Sequence, residues 1–407
     1  SRRTFLAMGS AALTAPWGLA QSTKREPIRI AFIGVGDRGS HLLKLMLAIP
    51  SVTVPAICDV NEDYLSRGIA LVREAHGNTP VGFSKSRYDY RRMLERDDVE
   101  AVVIATPSEW HAEMSIDAMN ARKHVASEVP GARTIEECWN LVKACEKTKR
   151  HYMLLENCMY DRTRMLVMNM TNAEVFGRPY YGECSYIRGN NGFNIDGALP
   201  PGGNAKRNRF SDLHPTHSLG PVSKWMGINR GDRPVSLVSM MSKPASLQEY
   251  SADKSGQNRI AANIQWQSDD VNLTLIKTAR DRMITLYYDT NSSRPISDFY
   301  LLQGTRGVYD SRHGVYVRGK SLAHQWENDL ADYHEEYGDA AADSGYGGAD
   351  FLMLRAFIEA LREDRSPFVD VYDSATWSAV AELSAKSIRK GGVSVPFPDF
   401  TNGRWKA

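Results

Sequence analysis

The sequence predicts an α/β protein of two domains: an N-terminal parallel sheet with crossover helices, then a C-terminal α+β domain whose sheet is mostly antiparallel. Three observations lead there. Strand-like and helical segments alternate from Ile28 to about Arg150, the first strand runs into Gly34-Val35-Gly36-Asp37-Arg38-Gly39 just before a helix, and after Glu156 the pattern changes to successive short apolar strands. At 407 residues the chain is longer than one core ordinarily serves.

Residues 1–26 read as a leader and linker, 27–150 as the first domain and 151–407 as the second. Arg2-Arg3, Phe5-Leu6, an Ala/Gly/Leu-rich run and small residues at Gly18 and Ala20 resemble a twin-arginine export signal, whose cargo crosses already folded. The expected location is therefore periplasmic or secreted; the alternative is an arginine pair ahead of an unstructured N-terminus. No later apolar run reaches the roughly 18 residues that span a bilayer, so no membrane association is expected once the signal is removed.

In the first domain, IRIAFIGVG is followed by a helix from Ser40, then TVPAICDV, the helical NEDYLSRGIALVREAHG, VEAVVIATP, a helix near HAEMSIDAMNA, and KHVASEVP. That succession implies right-handed parallel crossovers. Gly34, Gly36 and Gly39 have the G-x-G-x-x-G spacing that lets backbone approach a pyrophosphate at a helix N-terminus, and Asp59 ends the second long strand where an adenosine ribose is held. Together they predict a Rossmann dinucleotide site. An acid at Asp59 favours NAD over NADP, unless Arg38 reaches across to a 2′-phosphate. Ser108-Glu109-Trp110-His111 and Ser127-Glu128-Val129-Pro130 follow the next two strands, whose carboxyl ends face the ligand crevice. The structural alternatives are a helix cap for Ser108 and a solvated Glu128.

In the second domain, VFGRPYYGECSYIRG, SLVSMMSK, AANIQWQS, VNLTLIKTA, MITLYYDT and FYLLQGTRGVYD read as strands. GNNGFNIDGALPPGGNAKRN, rich in Gly, Asn and Pro, reads as an irregular loop, and the segments from Ala349 to Arg362 and from Ala375 read as amphipathic helices. Lys and Arg total 50 against 48 Asp and Glu, which offers no field for nucleic acid. Cys58, Cys138, Cys145, Cys158 and Cys184 are odd in number and lack zinc spacing, so buried thiols are expected.

The order GVGDRG, CDV, ATPSEWH, HVASEVP, LLENCMY and LHPTHSLGPV resembles the Gfo/Idh/MocA oxidoreductase superfamily. More narrowly, LHPTHSLGPV, INRGDR, YDTNSSRP, VYDSATWSA and FPDFTNGRW are similar to glycoside hydrolase family 109, NAD-dependent α-N-acetylgalactosaminidases that often carry twin-arginine signals. The resemblance runs from about Ile28 to the C-terminus. It implies cofactor contacts at Arg38, Gly39, Asp59, Ser108 to His111, Glu128, Val129 and Asn157, a functional acid at Glu156, a substrate tyrosine at Tyr186 and a histidine at His217. His214 stands where the family usually has tyrosine, Ile296 where it has a later substrate tyrosine, and Arg207 and Arg209 both compete for the substrate arginine. No metal is expected, because Pro215 disfavours the helix that would carry His214 and His217 as a zinc pair.

Superfamily dehydrogenases usually have a lysine where this chain has Val129 and an aspartate where it has Leu213, whereas the hydrolases share both departures. The hydrolase resemblance implies a redox-neutral route: oxidation at sugar C3, removal of the C2 proton, elimination of the glycosidic oxygen, water addition and re-reduction by the same cofactor. His217 suits the C3 hydroxyl proton, and Tyr186 the C2 proton if a charged or hydrogen-bonding neighbour assists it, with Glu156 tuning or positioning that neighbour. The expected partner is a small glycoside, with homo-oligomerisation left open. The alternatives are a superfamily sugar oxidoreductase and a non-catalytic sugar-binding module.

Overall fold

The computed structural model describes residues 26–189, 211–254, 266, 270–338 and 348–406. The expected export signal, Arg207, Arg209 and all of AANIQWQS but Trp266 lie outside them.

The first sheet holds β1 (Ile28–Ile33), β2 (Val52–Thr53), β3 (Ala56–Cys58), β4 (Val81–Phe83), β5 (Ala101–Ile104), β6 (His124–Ser127) and β7 (Tyr152–Leu154). Its order is β4-β3-β1-β5-β6-β7, with β2 beside β1 and every pair parallel. Helices cover both faces, which is why β5 is buried at all four residues rather than alternating. The first helix, Asp37–Leu47, starts three residues before Ser40, because only Gly36 at its N-cap is extended and Asp37 already turns. The boundary expected after Arg150 also moves. The helix Ile135–Thr148 returns through β7, whose flanks are tied to β6 by Val125 N–H to His151 O (2.9 Å) and Leu155 N–H to Ser127 O (2.8 Å), so the first sheet extends to Leu154.

The second sheet holds β8 (Pro179–Ile187), β9 (Pro234–Met241), β10 (Val271–Thr278), β11 (Met283–Asp289), β12 (Tyr300–Gly304), β13 (Gly307–Asp310), β14 (Gly314–Val317) and β15 (Val395–Pro396), in the order β14-β13-β12-β8-β11-β10-β9-β15. All neighbours are antiparallel except β8 and β11, which run parallel and set Tyr186 opposite Tyr288. FYLLQGTRGVYD is a hairpin rather than one strand, turning between Gly304 and Gly307. On β10, Asn272, Thr274, Ile276 and Thr278 are buried while the residues between them are not, the period of a half-covered strand. The covering helices are Thr216–Trp225, packed on β8, and Val371–Arg389, packed on β9.

The domains interleave. Helix Val371–Arg389 also packs on Ile135–Thr148 of the first domain, and helix Gly348–Arg362 on Asp37–Leu47. A buried ion pair, Lys224 Nζ to Asp373 Oδ2 at 2.6 Å, fastens the end of helix Thr216–Trp225 to the start of Val371–Arg389. All five cysteines are free thiols, with Cys58, Cys138 and Cys184 buried. No helix among the described residues is long and apolar enough to cross a membrane.

Candidate active site

The glycine turn fits a dinucleotide by its spacing of atoms. A Cβ on Gly34 would stand 2.7 Å from the Ala105 carbonyl oxygen, and one on Gly39 would stand 2.1 Å from that of Gly34, so strand, turn and helix close with no room for side chains. Gly34 also has φ +87°, which glycine adopts without strain. A Cβ on Gly36, by contrast, would meet only the Tyr64 ring, at 3.4 Å; this position opens outward, where a phosphate would approach. The first N–H groups of helix Asp37–Leu47 lie beside it, unpaired within the helix as at any helix start.

Asp59 follows β3 and faces the same turn. Its Oδ2 accepts from Val35 N at 2.7 Å and its Oδ1 from Asn61 N at 2.9 Å, which leaves each oxygen a further lone pair for a ribose hydroxyl. Arg38 does not lie free for a 2′-phosphate. Its Nε donates to Glu128 Oε1 at 2.6 Å, and Nη1 and Nη2 donate to the two oxygens of Asp350 at 2.7 and 2.8 Å.

The strand-end residues divide. His111 is buried with its ring between the carbonyls of Pro130 (2.8 Å) and Thr106 (2.7 Å), so its side chain braces the two loops and does not face a ligand, contrary to the cofactor contact expected of it. Ser108 and Glu109 lie on the rim, and Trp110 packs edge-on against Tyr88 at 5.8 Å. Val129, partly buried, packs against the core. Its amide donates to Glu128 Oε2 at 3.1 Å.

Glu156 lies two residues beyond β7 and caps the 3-10 turn Asn157–Tyr160, where its Oε1 accepts from Cys158 N at 3.1 Å. The same oxygen lies 2.8 Å from His217 Nδ1. His217 is the second residue of helix Thr216–Trp225, which approaches so closely that a Cβ on Gly220 would be 3.4 Å from Glu156 Cγ. Tyr300 Oη donates to the His217 carbonyl at 2.9 Å and steadies the helix start. Glu156 is fully buried, whereas 23% of the His217 side chain is exposed. Burial pushes the Glu156 carboxyl up, but the His217 charge and the hydrogen bonds it receives overcome this and hold it below the ordinary value. Burial likewise disfavours imidazolium, yet the Glu156 carboxylate raises His217 well above its ordinary value.

Tyr186, near the end of β8, stacks on His217 with centroids 5.7 Å apart and planes 18° apart. Its β11 neighbour Tyr288 stacks at 5.7 Å and 13°, His214 lies tilted at 5.9 Å, and the Arg188 guanidinium sits 4.5 Å from its ring centroid. Arg188 is in turn paired to Asp298. The structure thus gathers Glu156, Tyr186, His214 and His217, with Asn157 alongside. Ile296 stays on the surface, 69% exposed, and the two arginine alternatives lie outside the described residues.

Three contributors were not read from the sequence. Arg188 shares a period-two face with Tyr186, a signal that was present in Tyr-x-Arg; Cys158 Sγ lies 3.6 Å from His217 Nδ1; Asp350, 312 residues from Arg38, has no local signal at all. Among the described residues Glu156, Cys158 and His217 form one group of metal-type donors within 4.8 Å. The 2.8 Å hydrogen bond through His217 Nδ1 already joins two of its three donors.

What a buried acid, an imidazole and a cation-flanked phenol can do together is move protons at neighbouring carbons of a polar ligand, next to a dinucleotide cradle. Comparison with known proteins bears on the fold and the family. Residues 28–155 match the oxidoreductase family with an NAD-binding Rossmann fold, and residues 160–407 match the glycosyl hydrolase 109 C-terminal domain. A glycosyl hydrolase family 109 protein of Saccharopolyspora erythraea is 35% identical over 100% of this chain and 95% of its own, and one from a Shewanella species is 37% identical over 94% and 87%. Solved structures share the fold: levoglucosan dehydrogenase with NADH and levoglucosan (TM-score 0.70, 19% identity, 92% of this chain and 100% of that one), and scyllo-inositol dehydrogenase of Lactobacillus casei with NAD(H) and scyllo-inositol (0.65, 15%, 91% and 99%). The first domain therefore has the fold of nicotinamide-cofactor oxidoreductases, and the chain belongs to glycosyl hydrolase family 109.

Proposed function

We propose that the protein is an NAD-dependent glycosidase that acts on α-N-acetylgalactosaminides or a related glycoside without net redox change. The observation that carries this reading is the stack of Tyr186 on His217 with Glu156 buried behind the imidazole. Displacement glycosidases present two carboxylates to the scissile bond, whereas the carboxylate here is sealed away and committed to a histidine.

When bound, NAD supplies the two-electron oxidation at sugar C3 and its reversal. With Nδ1 committed to Glu156, His217 accepts the C3 hydroxyl proton through Nε2 and returns it at the end. The C3 carbonyl acidifies the C2 hydrogen; Tyr186, as the base, takes it as a proton while the C2–H electron pair forms the C1–C2 double bond and expels the glycosidic oxygen, which leaves with a proton from the incoming water. The Arg188 guanidinium, 4.5 Å from the ring centroid, is the charged neighbour that this step calls for. Water then adds at C1, Tyr186 returns a proton to C2, and the C3 hydroxyl is restored. Asp59, together with an Arg38 already engaged by two carboxylates, supports NAD over NADP. A cofactor that ends each cycle as it began needs no outside recycling, which suits export through the twin-arginine route.

Hydrolysis in D₂O tests the reading, together with a C2-deuterated substrate. Deuterium at C2 of the released sugar, or a kinetic isotope effect from C2, supports elimination; sugar released with C2 fully protonated and no isotope effect overturns it. Keto-sugar accumulating with NADH identifies a sugar oxidoreductase, which the apolar Val129 disfavours. No turnover of a panel of α- and β-nitrophenyl glycosides with NAD bound identifies a binding module.

A further inference from the structure

Asp350 stands in the first turn of helix Gly348–Arg362, in the second domain, where the helix dipole favours a carboxylate. Four donors converge on it: Arg38 Nη1 (2.7 Å) and Nη2 (2.8 Å), His41 Nε2 (3.0 Å) and Asn157 Nδ2 (3.0 Å). Arg38 and Asn157 come from separate parts of the chain, one inside the glycine turn and the other directly after Glu156. Both belong to the cofactor contacts that the family resemblance implies, as does Glu128, which holds the remaining Arg38 nitrogen. Asp350 belongs to none of those contacts. Among the described residues it is nevertheless the one side chain bonded to both Arg38 and Asn157, and it is 13% exposed.

We propose that Asp350 is a positioning residue that holds Arg38 and Asn157 in their cofactor-facing orientation and so sets how slowly the chain releases its dinucleotide. The geometry explains how. Arg38 paired only through Nε to Glu128 would pivot about that single bond; the bidentate fork to Asp350 fixes the guanidinium plane. The Asn157 side chain has its amide donor on the same carboxylate oxygen as Arg38 Nη2, so loss of Asp350 releases both ends at once. Arg38 holds Asp350 ionised against the effect of burial, which keeps the fork charged. Because Asp350 is carried by the second domain, the contact also means that the Arg38 side chain is held at both ends of its guanidinium only when the domains are docked. The proposal rests on the nicotinamide site alone and not on the elimination chemistry.

The test follows NADH fluorescence as purified, NADH-loaded protein releases its cofactor into excess NAD, with no substrate present. Asp350→Asn, nearly isosteric, should release NADH about 10- to 100-fold faster, the effect of losing charged hydrogen bonds. Its glycoside KM should stay at the parent value, and activity lost on dilution should return when NAD is added. Combined with Arg38→Gln, it should add less than the product of the two single effects, because it acts through that side chain. Asp350→Glu, which keeps the charge, should lie between parent and Asp350→Asn, and gives the same reading if the latter folds poorly. A parent-like release rate in a folded Asp350→Asn protein, or effects that multiply fully with Arg38→Gln, would overturn the proposal.

Discussion

His217 Nδ1 and Glu156 Oε1 are 2.8 Å apart, with the acid wholly buried and the imidazole partly exposed, so one hydrogen bond links the core to the exposed face of the ring. Each partner shifts the other: Glu156 is held below 4.5 and His217 is raised well above 6.5.

That coupling fixes a pH dependence. His217 must be neutral to accept a hydroxyl proton, so kcat/KM should rise with pH through an elevated imidazole value, and Glu156→Gln should move this acid limb to lower pH. Stability should respond as well. The Glu156 contribution is present above 4.5 and lost as pH falls through its lowered value, while the His217 contribution is complete below 6.5 and lost as pH rises through its raised value. Melting curves should therefore show the largest Glu156→Gln deficit between those pH values, shrinking on either side. A deficit independent of pH would contradict the pairing.

Removing the proton carriers should separate their steps. His217→Ala should reduce kcat by roughly 10²–10⁴-fold while bound NAD remains. Tyr186→Phe should abolish exchange of the C2 hydrogen with D₂O, read by NMR of the sugar. Exchange at the parent rate would show that another group takes that proton.

Asp59→Ala should weaken NAD binding by about 1.5–3 kcal/mol in calorimetry, the worth of charge-assisted hydrogen bonds. Val35 N–H loses its acceptor in the same change, so the glycine turn should loosen while the fold survives.

Lys224→Met should lower stability by about 3 kcal/mol in denaturant titration, the lower part of the range for breaking a buried pair. The low figure follows from Arg230, whose Nη1 remains 2.8 Å from Asp373 and partly compensates the stranded carboxylate. An unchanged midpoint would mean that the pair contributes nothing to anchoring the His217 helix.

The first domain was legible because its signals are local. Gly34 to Gly39 and Asp59 are separated by one helix and two short strands, and their backbone requirements are visible residue by residue. The short β7 was missed: three residues give no period to count, and only pairing with β6 makes them a strand. Glu156, Tyr186 and His217 come from three separate elements; only family resemblance linked them before the structure set their rings together. His111 misled for a related reason, since a strand-end position says where a residue is but not that its ring fills the gap between two carbonyls. Arg188 could have been found by counting one residue past the end of β8. Asp350 could not, because its meaning lies entirely in a contact made by domain docking.

The parallel pairing of β8 with β11 has a consequence for how this catalyst can change. Two parallel neighbours cannot be joined by a tight turn, so the chain must leave after Ile187, travel across the molecule and come back to Met283 in the same direction. His214 and His217 ride on that excursion, whereas Tyr186 and Tyr288 are locked to each other by the ladder at its two ends. Changes in the excursion's loops would act on His214 and His217, while the β8–β11 ladder keeps Tyr186 opposite Tyr288. Insertions and deletions tolerated there are therefore the natural starting library for altering which glycoside is accepted.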